Sequence, residues 1–223
     1  MGRGKAHGRF RPIADMGLVG HIDGMESKRG GMTAGELLAQ QATDPLYQAA
    51  RSAKNWDLAQ IAEQRRREQQ PLLNDLSAAG VIVDWVGQLC SNPDPDERIY
   101  RVLLDHLAKP YSPWLLEWIG RAFARKSARP IVWDTLVDVI KTHALDERAT
   151  GGVMAAISDM AQPSDLAILI ELLSDPSLGS SRVFLVGNLM RSRRPAARDA
   201  LLRHQDDPDL TKEITSRLSR TRG

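Results

Sequence analysis

The chain predicts an all-α fold, a solenoid of stacked helical hairpins, on three observations. A small residue recurs at Gly87, Gly120, Ala155 and Gly187, at intervals of 33, 35 and 32. Each is flanked two before, one before and two after by apolar residues: Trp85, Val86, Leu89; Trp118, Ile119, Ala122; Val153, Met154, Ile157; Leu185, Val186, Leu189. Those offsets share one face of a helix. Between them lie further segments of helical apolar period, and no convincing strand appears. A hairpin of ~33 residues cannot hide its apolar face alone; successive copies do so by stacking.

The elements follow in order. Residues 1–32 are rich in Gly and Arg and lack period, and read as a disordered basic leader. Met16, Met25 and Met32 fall inside it, so a start at "MTAGELL" is also expected. Thr33 followed by Glu36 has capping-box spacing and opens a helix over 34–43. Asp44-Pro45 opens another over 45–69, kinked near Pro71 and followed by 71–78. Together, residues 33–79 read as capping helices and 80–223 as the repeat domain. There the spacing predicts helices over 80–91, 95–108, 113–125, 130–143, 147–161, 164–174, 180–192, 195–204 and 208–220. Their starts carry Asp94-Pro95, Ser112-Pro113 and Asp207-Pro208, with further prolines at 130 and 195. "VIVDWV" is β-branched, but the ladder assigns it to the start of the 80–91 helix.

Composition bounds the function. Hydrophobic residues make up 42% of 223, enough for a sizeable core. No apolar run approaches the ~18 residues of a membrane span, and the basic N-terminus lacks a signal-peptide core, so no membrane association and a cytoplasmic location are expected. The net charge is +2, but residues 1–35 hold six Lys/Arg against three acids, which leaves −1 for the remainder. The folded part is a poor electrostatic match for duplex DNA. Cys90 is the only cysteine, which excludes an internal disulfide or a cysteine-based zinc site; a buried, inert thiol is expected.

The stretch "DLAILIELLSDPSLGSSRVFLVGNLMRSRRPAARDALL" resembles HEAT repeats: a leucine-rich helix, an Asp-Pro turn, then a helix with an apolar-Gly-x-apolar core. The resemblance covers about residues 80–220, and the whole chain looks like small bacterial HEAT-repeat proteins. It implies a right-handed superhelix whose second helices line a concave groove, a form suited to binding a protein partner and uninformative about activity.

Enzymatic chemistry finds little support. The resemblance brings in deoxyhypusine hydroxylase-like proteins, whose irons sit on His-Glu dyads, but His7, His21, His106, His143 and His204 are never followed by Glu and never pair at i, i+4. No metal site, catalytic residue or cofactor is expected. Phosphate-cradling and nucleophile motifs are absent. HEAT-like alkylpurine DNA glycosylases, which hold a damaged nucleotide with Trp, Asp and Arg, supply the alternative reading of a nucleic-acid-binding or repair protein. Their motif does not match position by position, and Trp85, Trp118 and Trp133 fit core positions.

Three sets of residues are candidates for binding. Offsets −3, +1 and +4 from the small residue form an outward stripe: Asp84, Gln88 and Ser91; Glu117, Arg121 and Ala124; Gly152, Ala156 and Asp159; Phe184, Asn188 and Arg191. Gly152 and Ala156 would form a shallow pit at its centre, with Arg121 and Phe184 as anchors for a protein segment. Tyr111 and Trp114 in "KPYSPW" either bind a partner from a turn or seal two helices. Arg125, Lys126 and Arg129, together with Arg193, Arg194 and Arg198, form a basic edge for an acidic partner or for phosphate.

Overall fold

The computed structural model describes residues 32–91 and 94–220, with the side chains of 218–220 left out. The leader expected over 1–32 lies outside these residues apart from Met32. Among the described residues there are ten α-helices and no strand. None of the helices is long and apolar enough to cross a membrane. The chain divides into two compact units, Met1–Ser52 and Ala53–Gly223.

The described part of the first unit holds α1 (Ala34–Thr43) and the first turns of α2 (Pro45–Ala78). The capping box is present: the Glu36 amide donates to Thr33 Oγ1 at 3.2 Å, and the Thr33 amide donates to the Glu36 carboxylate at 2.8 Å. Asp44 accepts from the Leu46 amide at 2.9 Å and so caps α2. No residue of α1 is buried, and Leu37, Leu38 and Leu46 are exposed.

In the second unit α2 continues through Pro71 instead of ending before it. Leu72 and Leu76 are fully buried after the proline, and the buried Gln69 before it accepts from the Val86 amide at 3.1 Å. Packing on both sides of Pro71 outweighs the hydrogen bond it cannot donate. Gly80, at φ +96°, ends the segment beyond α2.

The helix expected over 80–91 does not form. Only a 3-10 turn exists there, Val86–Cys90, entered from an extended Trp85. Three consecutive β-branched residues, Val81 to Val83, have low helix propensity, and they lie outside any helix. The remaining helices are α3 (Glu97–Leu107), α4 (Pro113–Ala122), α5 (Arg129–Lys141), α6 (Glu147–Met160), α7 (Leu166–Leu173), α8 (Val183–Arg191), α9 (Pro195–Arg203) and α10 (Thr211–Arg220). The cap of α3 is Asp96, not Asp94: Asp96 accepts from the Arg98 amide, whereas Asp94 reaches back to Arg125.

Packing follows alternate helices. The 3-10 turn, α4, α6, α8 and α10 touch in series; α3 touches α5, and α7 touches α9. Within hairpins α3 meets α4, α5 meets α6 and α7 meets α8. One apolar core runs through the whole set, from Leu72 to Ile214. Each fully buried Leu or Ile in it contributes ~1.5–3 kcal/mol.

The ladder marks the buried face but not equivalent small residues. One position before it, Val86, Ile119, Met154 and Val186 are all fully buried, and two after it Leu89, Ala122, Ile157 and Leu189 are buried. The small positions themselves differ. Gly87 lies under the Trp85 indole, Gly187 faces the Arg217 and Arg191 guanidinium groups, and Gly120 meets the α6 backbone at Gly152 and Val153. In α6 the residue that mates with Gly120 is therefore Gly152, three residues before Ala155. Gly152 and Ala156 are buried, so no pit exists at the centre of the stripe. α6 is covered on most of its circumference because α4 crosses it there.

Candidate functional site

The α4 and α8 portions of the stripe come together across α6. Glu117 on α4 accepts from Arg121 Nε at 3.0 Å and also from Arg148 at the start of α6. The Arg121 guanidinium lies 5.9 Å from the centre of the Phe184 ring on α8, within cation–π range. Both side chains are half-buried, so each is held in place while a face stays open. An open cleft of about 630 Å³ is lined here by Glu117, Arg148, Gly151, Ser181 and Phe184.

One turn further along α8, Asn188 donates to the Ser158 carbonyl at 2.8 Å, and Ser158 Oγ donates to the Phe184 carbonyl at 2.8 Å. These bonds fix α8 against α6. Asn188 Oδ1 also accepts from Arg191. Asn188 and Arg191 line a second cleft of about 400 Å³ with Pro163, Leu166, Arg193 and Arg194. Residues from the stripe and from the basic edge thus meet at one site.

The other candidates stand apart from these two clefts. Asp84 and Gln88 bond to each other, the Asp84 amide donating to Gln88 Oε1 at 2.7 Å, and line a separate cleft with Trp85. Asp159 is exposed near the end of α6. Tyr111 and Trp114 seal helices. Tyr111 Oη lies 2.9 Å from His106 Nδ1, and His106 Nε2 is 2.8 Å from Asp75 on α2. With Nε2 donating to the carboxylate, Nδ1 accepts a hydrogen bond from the Tyr111 hydroxyl. The His106 hydrogen bond holds the Asp75 carboxyl below its ordinary pKa, and desolvation, with Asp75 and Glu68 nearby, raises the Tyr111 hydroxyl. The Arg65 guanidinium covers the Trp114 ring at 4.9 Å.

The basic edge divides in two. Arg125 binds Asp94 at 3.2 Å and the Leu89 carbonyl. Arg129 binds Asp165 at 2.9 Å and the Met160 carbonyl at 3.2 Å, with its guanidinium 4.0 Å from the centre of the Trp133 ring. Lys126 is exposed. Arg193, Arg194 and Arg198 are also exposed, and none of the three makes an ion pair among the described residues.

Two features escaped the sequence reading. Arg182 is 2% exposed and binds Asp207 through both nitrogens, at 2.7 and 3.2 Å, and Asp209 at 3.0 Å. The Asp207-Pro208-Asp209 signal expected to start a helix at 208 serves this clamp as well, and α10 starts at Thr211. Cys90, expected to be buried, is exposed, although desolvation by neighbouring atoms still raises its thiol pKa. Among the described residues no group of three His, Cys, Asp or Glu is arranged to hold a metal ion. No protein-family model, curated protein or solved structure matches the chain.

Proposed function

We propose that residues 80–220 form a right-handed HEAT-like α-solenoid that works without catalysis, holding a segment of a protein partner along the face made by α4, α6 and α8. The alternate packing of the helices supports the architecture. The observation that carries the function is the Arg121–Phe184 pair at 5.9 Å beside an open cleft. Arg and aromatic side chains dominate the energetics of protein interfaces, and here both are pre-positioned by Glu117 and by the Ser158 bonds to α8. Binding then works by shape and charge complementarity across rigid helices, and a cytoplasmic setting goes with it. Affinity capture from the source-cell lysate, with the chain and with its Arg121→Glu/Phe184→Ala form, tests the reading. A specific partner lost in the variant, at unchanged helical circular dichroism, supports it; an unchanged partner list contradicts it.

The exposed Arg193, Arg194 and Arg198 favour the second reading, nucleic-acid binding. Titration of labelled duplex and single-stranded DNA at low salt separates the two. Micromolar, steeply salt-dependent binding by a chain starting at Met32 promotes the second reading.

A further inference from the structure

We infer that the cleft between α7, α8 and the start of α9 is a docking site for an acidic peptide segment with an aliphatic residue at its centre. The inference rests on the reading of the chain as a protein-binding module and names the chemistry of what it holds.

Charge is the first ground. Arg191, Arg193 and Arg194 rim the cleft within four residues of chain, and among the described residues no carboxylate lines it. Arg191 donates to the neutral amide oxygen of Asn188, and Arg193 and Arg194 make no ion pair among the described residues. Two repeats earlier the corresponding turn handles its arginines differently: Arg125 is matched by Asp94 and Arg129 by Asp165. Three like charges on one rim repel one another, and a carboxylate supplied from outside relieves that repulsion through bidentate hydrogen bonds.

The floor is the second ground. It is formed by Pro163, Leu166 and Leu169, with Ala161 beside them, all aliphatic. A polyanion would use the rim and leave this floor wet. Single-stranded nucleic acid is held by stacking bases on aromatic rings, and among the described residues no aromatic side chain lines the cleft. Residues 36–223 carry a net charge of −1, which does not favour a polyanion continuing past the rim. A leucine or isoleucine flanked by Asp or Glu satisfies both parts of the site: its side chain covers the floor while its neighbours reach the rim.

The test is fluorescence anisotropy with the full chain and a labelled peptide, Gly-Asp-Glu-Leu-Leu-Asp-Glu-Gly, at low salt. A Kd on the order of 10–100 μM is expected. Arg193→Glu/Arg194→Glu should weaken binding at least ~10-fold, while Arg198→Glu, outside the cleft lining, changes it less than ~2-fold. A peptide with both leucines replaced by serine should bind at least ~5-fold more weakly, and an oligothymidine of equal charge more weakly still. The site is overturned if no peptide binding is detected, if the serine peptide or the oligonucleotide binds as tightly, or if Arg198→Glu is as damaging as the double variant. The capture experiment reads the Arg121–Phe184 groove and the titration reads the cleft, so a failed capture experiment sinks the groove alone and a failed titration sinks the cleft alone.

Discussion

Gly152 lies against Glu117 so closely that a Cβ on the glycine would sit 2.2 Å from the Glu117 carbonyl oxygen. The reciprocal contact, from Gly120 to the Gly152 carbonyl carbon, would be 2.7 Å. The two backbones therefore meet without intervening side chains, and this approach brings Arg121 of α4 within reach of Phe184 of α8.

Gly152→Ala must push α4 and α6 apart. A loss of ~1–3 kcal/mol or more is expected from overpacking against backbone. Gly151→Ala, one residue away, meets only Ser181 Oγ at 3.6 Å and Phe184 Cε2 at 3.9 Å. That change should be neutral or stabilising by up to ~1 kcal/mol through helix propensity. Urea unfolding of both variants checks the pair, and equal destabilisation would contradict the close approach.

Arg182 is the buried cation that ties the start of α8 to the segment before α10. Arg182→Met leaves Asp207 and Asp209 without their shared partner and should cost ~3–5 kcal/mol. Thermal unfolding followed by circular dichroism measures it. A loss under ~1 kcal/mol would show that the clamp is not formed in solution.

The same clamp sets a pH dependence. The Arg182 hydrogen bond is the main cause holding the Asp207 carboxyl below its ordinary pKa. A depressed folded-state pKa stabilises the fold above the unfolded value of about 3.9, and that stabilisation is lost as pH falls through the folded value. Asp207→Asn should therefore be less stable than the parent at pH 7, with the gap narrowing below about pH 3.9. Melting temperatures at pH 7 and pH 3 check this, and a gap independent of pH would contradict it.

Much of this arrangement was legible in the residue pattern, though unevenly. Val86, Ile119, Met154 and Val186 were correctly assigned to a buried face because apolar period reports burial directly. Spacing puts Gly152 on the outward stripe, but it is buried, because sequence spacing cannot reveal which glycine in "TGGVMAA" meets a neighbouring backbone. The absent 80–91 helix was readable from Val81-Ile82-Val83, had local propensity been weighed above the ladder. Arg182 gave no local signal, since its partners are 25 and 27 residues away. Spacing alone puts Asn188 and Arg191 on the stripe, yet their union with Arg193 and Arg194 depends on how α8 ends and α9 begins.

Tyr111→Phe removes the hydroxyl facing His106 Nδ1 and leaves a buried ring nitrogen without that partner. A destabilisation of ~1–3 kcal/mol is expected, measurable by urea unfolding. A neutral result would mean that the His106–Tyr111 bond does not help fix the turn before α4.

Cys90 is exposed, and desolvation by neighbouring atoms holds its thiol above the ordinary pKa. Iodoacetamide should alkylate it in the native protein, more slowly than a free thiol at pH 7.5, and faster by ~10-fold per pH unit into the alkaline range. Mass spectrometry follows the reaction. Rapid labelling at pH 7.5 would contradict the raised pKa.

The most direct measurement of the central claim is hydrogen–deuterium exchange of the chain with and without its captured partner. Protection concentrated at residues 117–121, 148–152 and 181–194 is predicted, since these build the α4–α6–α8 face and the arginine-rimmed cleft. Protection confined to α1 and α2, or to α3 and α5, would contradict it.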